Sequence, residues 1–353
     1  MNKSNFKIGN KMVGSGYPVL IVAEISANHL QNFERAKKMV KTACELGAGA
    51  IKLQTYTPAT LTLDSKKELF QIKVNPAWKG KTLYELYQKA FMPWEWHQKL
   101  KKIADEYSTP LFSTAYDDTA VDFLEKLGVP AYKIASFEIT DIELLKKVAK
   151  TKKPVILSRG MSTLSELEEA ISTLRTHGAS AIAVLHCVSS YPAKPEEMNL
   201  ATISDIGERF KVVPGLSDHT LTISTSVAAV ALGACIIEKH FTLSRADGGP
   251  DAGFSLEPKE LEELIKAVGE VGKAIGKVSY EVGKGESENI IFRRSLWVIK
   301  PIKKGEKFTT ENVGRYRPGN GLPIKFLPRV LGRKAKKDVE PATPLSWDIV
   351  EEL

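Results

Sequence analysis

Eight short apolar runs, each ending in polar or charged side chains, limit what this chain of 353 residues can fold into. They cover residues 19–25, 50–54, 110–116, 132–136, 154–159, 181–187, 212–217 and 236–241. Runs this short and this continuously apolar read as parallel strands buried on both faces. Helical patterns separate them. Residues 31–46 place Phe33, Ala36, Val40, Ala43 and Cys44 on one face, and Gly47 supplies the stop. Thr163 with Glu166 forms a capping-box pattern, and Asp141 suits an N-cap. Strand starts from residue 110 onward stand 22 to 31 residues apart, the length of one strand–helix unit. The expected fold class is therefore α/β, a closed (β/α)8 TIM barrel.

The chain is longer than the roughly 250 residues typical of such a barrel, so a second unit is expected. We divide it into a barrel over 1–277, a Gly-, Glu- and Ser-rich linker over 278–292, and a small β-rich domain over 293–353. In that last domain, 295–300, 303–307 and 344–349 read as short strands between glycine turns. The interval between the second and third barrel runs holds an insertion, 55–93, with Tyr56, Phe70, Trp78, Tyr84, Tyr87 and Phe91. A long loop on the strand-end face shapes or covers a pocket, or else packs an extra helix on the barrel.

Formal net charge is +8, with the excess concentrated toward the C-terminus. No stacking motif or zinc-finger spacing accompanies it, which disfavours nucleic acid and favours a small anionic substrate. The first eighteen residues hold no signal-like stretch and no run approaches membrane-spanning length. Three cysteines, Cys44, Cys187 and Cys235, fall in apolar surroundings as buried thiols. A cytoplasmic protein without membrane partners is expected.

In a barrel the polar run ends become neighbours. His219 and His240 close consecutive strands, which lie about 4.8 Å apart, so the pair can share a cation or simply hydrogen bond. Lys52 and Lys133 end otherwise apolar strands. A buried unpaired ammonium costs several kcal/mol, so each must meet an anionic ligand, a carboxylate such as Glu24 or Glu138, or a carbonyl substrate as a Schiff base. Gln54, Thr114, Ser136, Ser158 and Ser217 add neutral hydrogen-bonding groups at similar heights. With lysines nearby, Glu24 and Glu138 are expected to be ionised.

The motifs together resemble the sialic acid synthase family. They are Ala23-Glu24-Ile25-Ser26-Ala27-Asn28-His29, Ile51-Lys52-Leu53-Gln54-Thr55-Tyr56, Tyr132-Lys133-Ile134-Ala135-Ser136, Leu216-Ser217-Asp218-His219-Thr220, Glu238-Lys239-His240-Phe241 and Phe254-Ser255-Leu256-Glu257-Pro258. Residues from about 290 on resemble that family's antifreeze-like (SAF) domain. The wording of 23–29 and of Asp247-Gly248-Gly249-Pro250-Asp251-Ala252 is most similar to the branch that makes pseudaminic acid. That resemblance implies condensation of phosphoenolpyruvate with 2,4-diacetamido-2,4,6-trideoxy-L-altrose and release of phosphate. The neuraminate and legionaminate branches are the near alternatives, and a Schiff-base aldolase acting through Lys133 a distant one. The resemblance further implies a divalent metal, manganese or magnesium, on His219 and His240. It places phosphoenolpyruvate on Lys52, Gln54, Thr114, Lys133, Ser136, Ser158 and Ser217, and the sugar or water beside Glu24, Glu138, Tyr191 and Asp251. It implies a domain-swapped homodimer in which Arg317 reaches the neighbouring barrel. Ser189 stands where the neuraminate synthases carry asparagine, which puts that phosphate contact in doubt.

Overall fold

The computed structural model describes residues 5–73 and 79–352, so Trp78 lies outside the described residues. The chain divides into two compact units, residues 1–276 and 277–353. The first unit begins with a hairpin, β1 (Phe6–Ile8) and β2 (Lys11–Val13). Eight parallel strands follow and close into a barrel: β3 (Leu20–Glu24), β4 (Ala50–Thr55), β5 (Leu111–Ala115), β6 (Tyr132–Ile134), β7 (Val155–Ser158), β8 (Ile182–Cys187), β9 (Val213–Ser217) and β10 (Ile236–His240). Helices alternate with the strands around the outside, as the apolar spacing required.

Strand alternation explains both the core and the site. Residues facing out of the barrel, such as Ile21, Ala23, Ile51 and Leu53, pack against the helices, as do Tyr132, Ile134, Val155 and Leu157 on the other side. The alternate residues face in. Their lower layers are apolar: Leu20, Val22, Ala50, Phe112, Ile156, Leu185, Val213 and Ile236. One step further along, the same inward parity yields Glu24, Lys52, Thr114, Lys133, Ser158, Cys187, Ser217 and Glu238. A polar ring thus caps a dry plug. At Gly215 a Cβ would stand 2.7 Å from the carbonyl oxygen of Ile236, so only glycine lets β9 lie this close to β10.

The opening hairpin and the strand at 313–316 escaped sequence reading, whereas the strand expected at 295–300 is present over 295–298. The β1–β2 hairpin contributes Phe6, Ile8 and Val13 to the apolar core inside the barrel. Its six strand residues are too few to show a periodic signal. In the second unit, β11 (Ser295–Val298) pairs antiparallel with β12 (Val313–Tyr316). The segments expected as strands at 303–307 and 344–349 form only single bridges, Lys307 to Lys334 and Pro344 to Trp297. Turns interrupt the chain there before a ladder can extend, and the unit closes on Leu296, Val298, Phe308, Val330 and Leu345. The 278–292 stretch holds short helical turns at Lys284–Ser287 and Glu288–Phe292, with every residue of these turns exposed.

Candidate active site

The polar ring opens into a cavity of about 400 Å³. Of the residues singled out in the sequence, Lys52, Gln54, Lys133, Ser136, Glu138, Ser158, Tyr191, Ser217, His219, His240 and Asp251 line it. Glu24, Thr114 and Ser189 do not appear on its wall, and Arg317 lies exposed in the second unit.

The register sets the heights. Glu24 stands beside Lys52 across β3–β4 and beside His240 across β10–β3, while Thr114 stands beside Lys133 across β5–β6. Lys52 bridges two carboxylates, with Nζ 2.8 Å from Glu24 Oε2 and 2.7 Å from Glu238 Oε1. Burial holds its ammonium down at about 8, against the opposing pull of Glu238. Glu24 is wholly buried and also accepts the Ser26 backbone N–H at 2.8 Å. Glu24 thus pairs with Lys52 and is not among the residues lining the cavity, where the sequence places it beside the sugar or water. Glu238, which sequence reading passed over, also accepts from Ser217 Oγ at 3.2 Å.

Lys133 differs. Only 1% exposed, it donates to Ser158 Oγ at 2.7 Å and to the Ile134 carbonyl at 3.1 Å, and it forms no ion pair among the described residues. Ser136 and Ser189 hydroxyls share a 2.8 Å hydrogen bond. Gly160 closes over them, since a Cβ there would collide with Ser136. Glu138 corrects a second expectation. Burial pushes its carboxyl up to about 7 despite Lys133, so it is not held ionised at neutral pH, and its Oε2 has no partner.

Across the cavity, the His219 and His240 rings lie 5.4 Å apart. Tyr191 stacks on His219 at 4.5 Å, and Phe254 lies 4.9 Å from His240. Asp251 accepts from the Ser26 hydroxyl and the Ala27 N–H, and burial pushes it up to about 6. Outside the barrel wall, a buried lock joins the residues that precede the two histidines in sequence. Lys239 Nζ lies 3.3 Å from Asp218 Oδ2 and donates to the Thr220 and Thr222 carbonyls, while Asp218 accepts from Thr225 and Ser226.

Comparison with known proteins decides the family. The NeuB family model matches residues 39–280, and the SAF domain model matches 293–351. The chain belongs to the NeuB family. It is 43% identical to the pseudaminic acid synthase of Helicobacter pylori, over 95% of this chain and 98% of that protein. Its identity to the N,N'-diacetyllegionaminic acid synthase of Campylobacter jejuni is 39%, over 90% and 96%. Among solved structures, the N-acetylneuraminic acid synthetase of Leptospira borgpetersenii, in complex with citrate, superposes with a TM-score of 0.73. The two are 32% identical over 81% of this chain and 95% of that one.

The histidine pair fits the metal that NeuB-family resemblance implies. His219 Nδ1 sits 2.9 Å from the Val188 carbonyl, an outer hydrogen bond that leaves Nε2 for a ligand. His240 Nδ1 is buried without a hydrogen-bond partner, 3.9 Å from Asp251 Oδ2, and burial holds its ring neutral. No cage of three or more His, Cys, Asp or Glu exists among the described residues. Two imidazoles suit an ion that takes its remaining ligands from water and substrate. No helix among the described residues is long and apolar enough to cross a membrane.

Proposed function

We propose that this chain is the synthase that condenses phosphoenolpyruvate with 2,4-diacetamido-2,4,6-trideoxy-L-altrose, giving pseudaminic acid and phosphate. Lys133 carries the reading. Its buried ammonium hydrogen-bonds a hydroxyl and a carbonyl and feels Glu238 and Glu138 only through space, with no ion pair among the described residues, an arrangement that an arriving anion completes. Lys52, Ser136, Ser158 and Ser217 surround the same space, which suits one phosphate and one carboxylate.

The reaction balances on residues present. C3 of the enol phosphate bonds to the aldehyde carbon, whose oxygen takes a proton. Water adds at C2 and loses a proton; the C2–O bond to phosphate then breaks as the remaining hydroxyl proton passes to the departing phosphate and the C2 ketone forms. Glu138, poised near neutrality on the cavity wall, can give the first proton and collect the second. Glu238 and the phenol of Tyr191 lie where they meet charge and hydroxyls as these develop. Asp251 orients the sugar. A manganese or magnesium ion, held by His219 and His240, would polarise the aldehyde oxygen.

The finer assignments belong to the same proposal: a cytoplasmic enzyme, and a domain-swapped homodimer in which Arg317 of one copy contacts the sugar bound to the other. The hydrogen bonds that Lys133 donates favour a charged anchor over a Schiff-base amine, so borohydride with pyruvate should trap no adduct. The test is phosphate release from phosphoenolpyruvate with each candidate sugar. Release is expected on adding the diacetamido sugar; none with any of them would refute the proposal.

A further inference from the structure

The cavity has two unlike walls. The strand-end wall carries Lys52, Lys133 and the serines, whereas the part of the lining that comes from the insertion carries no charge among the described residues. The helix Leu83–Ala90 turns Leu83, Leu86, Tyr87 and Ala90 toward the cavity. That spacing of i, i+3, i+4 and i+7 is one helical face. The helix is fixed at its start by a Thr82–Glu85 capping box, and Leu61 and Ile72 extend the same surface.

At the seam between the walls stand three phenols. Tyr56 packs edge-on against Tyr87 at 5.8 Å and against Tyr116 at 5.1 Å, and all three line the cavity. Burial keeps their hydroxyls protonated, as donors.

Phosphoenolpyruvate offers such a wall one methylene carbon and otherwise needs cations. A fully hydroxylated sugar would leave hydroxyls facing leucines without partners. An acetamido group matches the surface, its methyl against the leucines and its carbonyl accepting from a phenol. A deoxy terminal carbon matches it too. We infer that the insertion wall of Leu61, Ile72, Leu83 and Leu86, with the tyrosine seam, selects a twice N-acetylated 6-deoxy sugar over a hydroxylated hexosamine.

This rests on the synthase reading and narrows it. The altrose- and mannose-configured diacetamido sugars present the same methyl groups, so the wall does not separate them. An apolar surface rejects an added hydroxyl only modestly, so selectivity of about 10- to 200-fold over N-acetylmannosamine is expected.

The experiment measures kcat/KM for both diacetamido sugars and for N-acetylmannosamine, in wild type and in Leu83→Asn and Leu86→Asn, with KM for phosphoenolpyruvate alongside. The wall should lose its preference: kcat/KM for the diacetamido sugars falls about tenfold or more, that for N-acetylmannosamine holds or rises, and KM for phosphoenolpyruvate holds. Equal losses on all sugars, or an unchanged ratio, overturn the inference. Leu61→Ser and Leu83→Asn, at partly exposed positions, give the same readout where the buried Leu86 change unfolds the protein. A wild type active on the sugars without preference sinks the wall alone. A wild type inactive on all of them sinks the synthase reading and the wall with it.

Discussion

Replacing Glu138 by glutamine should raise stability at alkaline pH while lowering turnover. The carboxyl is pushed from 4.5 up to about 7, by burial first and against the opposing effect of Lys133. A folded-state pKa above the unfolded value means the folded protein binds the proton more tightly. The group's contribution is favourable below about 4.5, is lost as pH rises, and is gone above about 7. A shift of this size corresponds to about 3 kcal/mol at most, and partial exposure reduces it to about 1–2 kcal/mol. Glu138→Gln removes the charge that must be buried. Denaturant unfolding at pH 5 and pH 8.5 should therefore show the variant gaining on wild type by about 1–2 kcal/mol between the two. Phosphate release should fall about 10²- to 10⁴-fold, the usual loss of a general acid–base group. A variant whose stability difference from wild type is the same at both pH values would refute the desolvation argument. Near-normal turnover would remove Glu138 from proton transfer.

Other perturbations separate support from chemistry. Lys133→Ala and His219→Ala should each abolish phosphate release while circular dichroism and the unfolding midpoint stay close to wild type. Lys52→Met strands Glu24 and Glu238 and should cost about 3–5 kcal/mol, part of which Lys52→Met/Glu24→Gln should restore; no recovery would mean the pair is not coupled. Lys239→Met breaks the lock behind the histidines and should weaken divalent-metal affinity in calorimetry more than phosphoenolpyruvate affinity. Chelation should remove turnover, and manganese or magnesium should restore it.

The barrel was legible because its strands are short, apolar and separated by capped helices. The polar strand ends were legible because an apolar run that stops at Lys52 or Lys133 needs a reason. Parity was the signal left unused. In Glu238-Lys239-His240, alternation turns 238 and 240 inward and 239 outward, which would have singled out Glu238 for the cavity and Lys239 for the lock with Asp218. Glu24 shares the inward parity, yet the barrel register sets it against Lys52, and pairing distances of that kind are not written in one strand. Glu138 illustrates the same limit: a lysine nearby argues for ionisation, but only the three-dimensional surroundings show that burial outweighs it. The wall from the insertion depends on how Leu83–Ala90 docks, a long-range matter that aromatic content only hinted at.

The central proposal is an anion pocket that drives carbon–carbon bond formation with loss of phosphate from C2. Turnover of phosphoenolpyruvate and the diacetamido sugar in ¹⁸O-labelled water tests this most directly, with mass spectrometry of the phosphate released. One unlabelled phosphate for each sugar consumed is the expected result, because the bridging oxygen leaves with phosphorus. Labelled phosphate, or phosphate release that does not depend on the sugar, would contradict it.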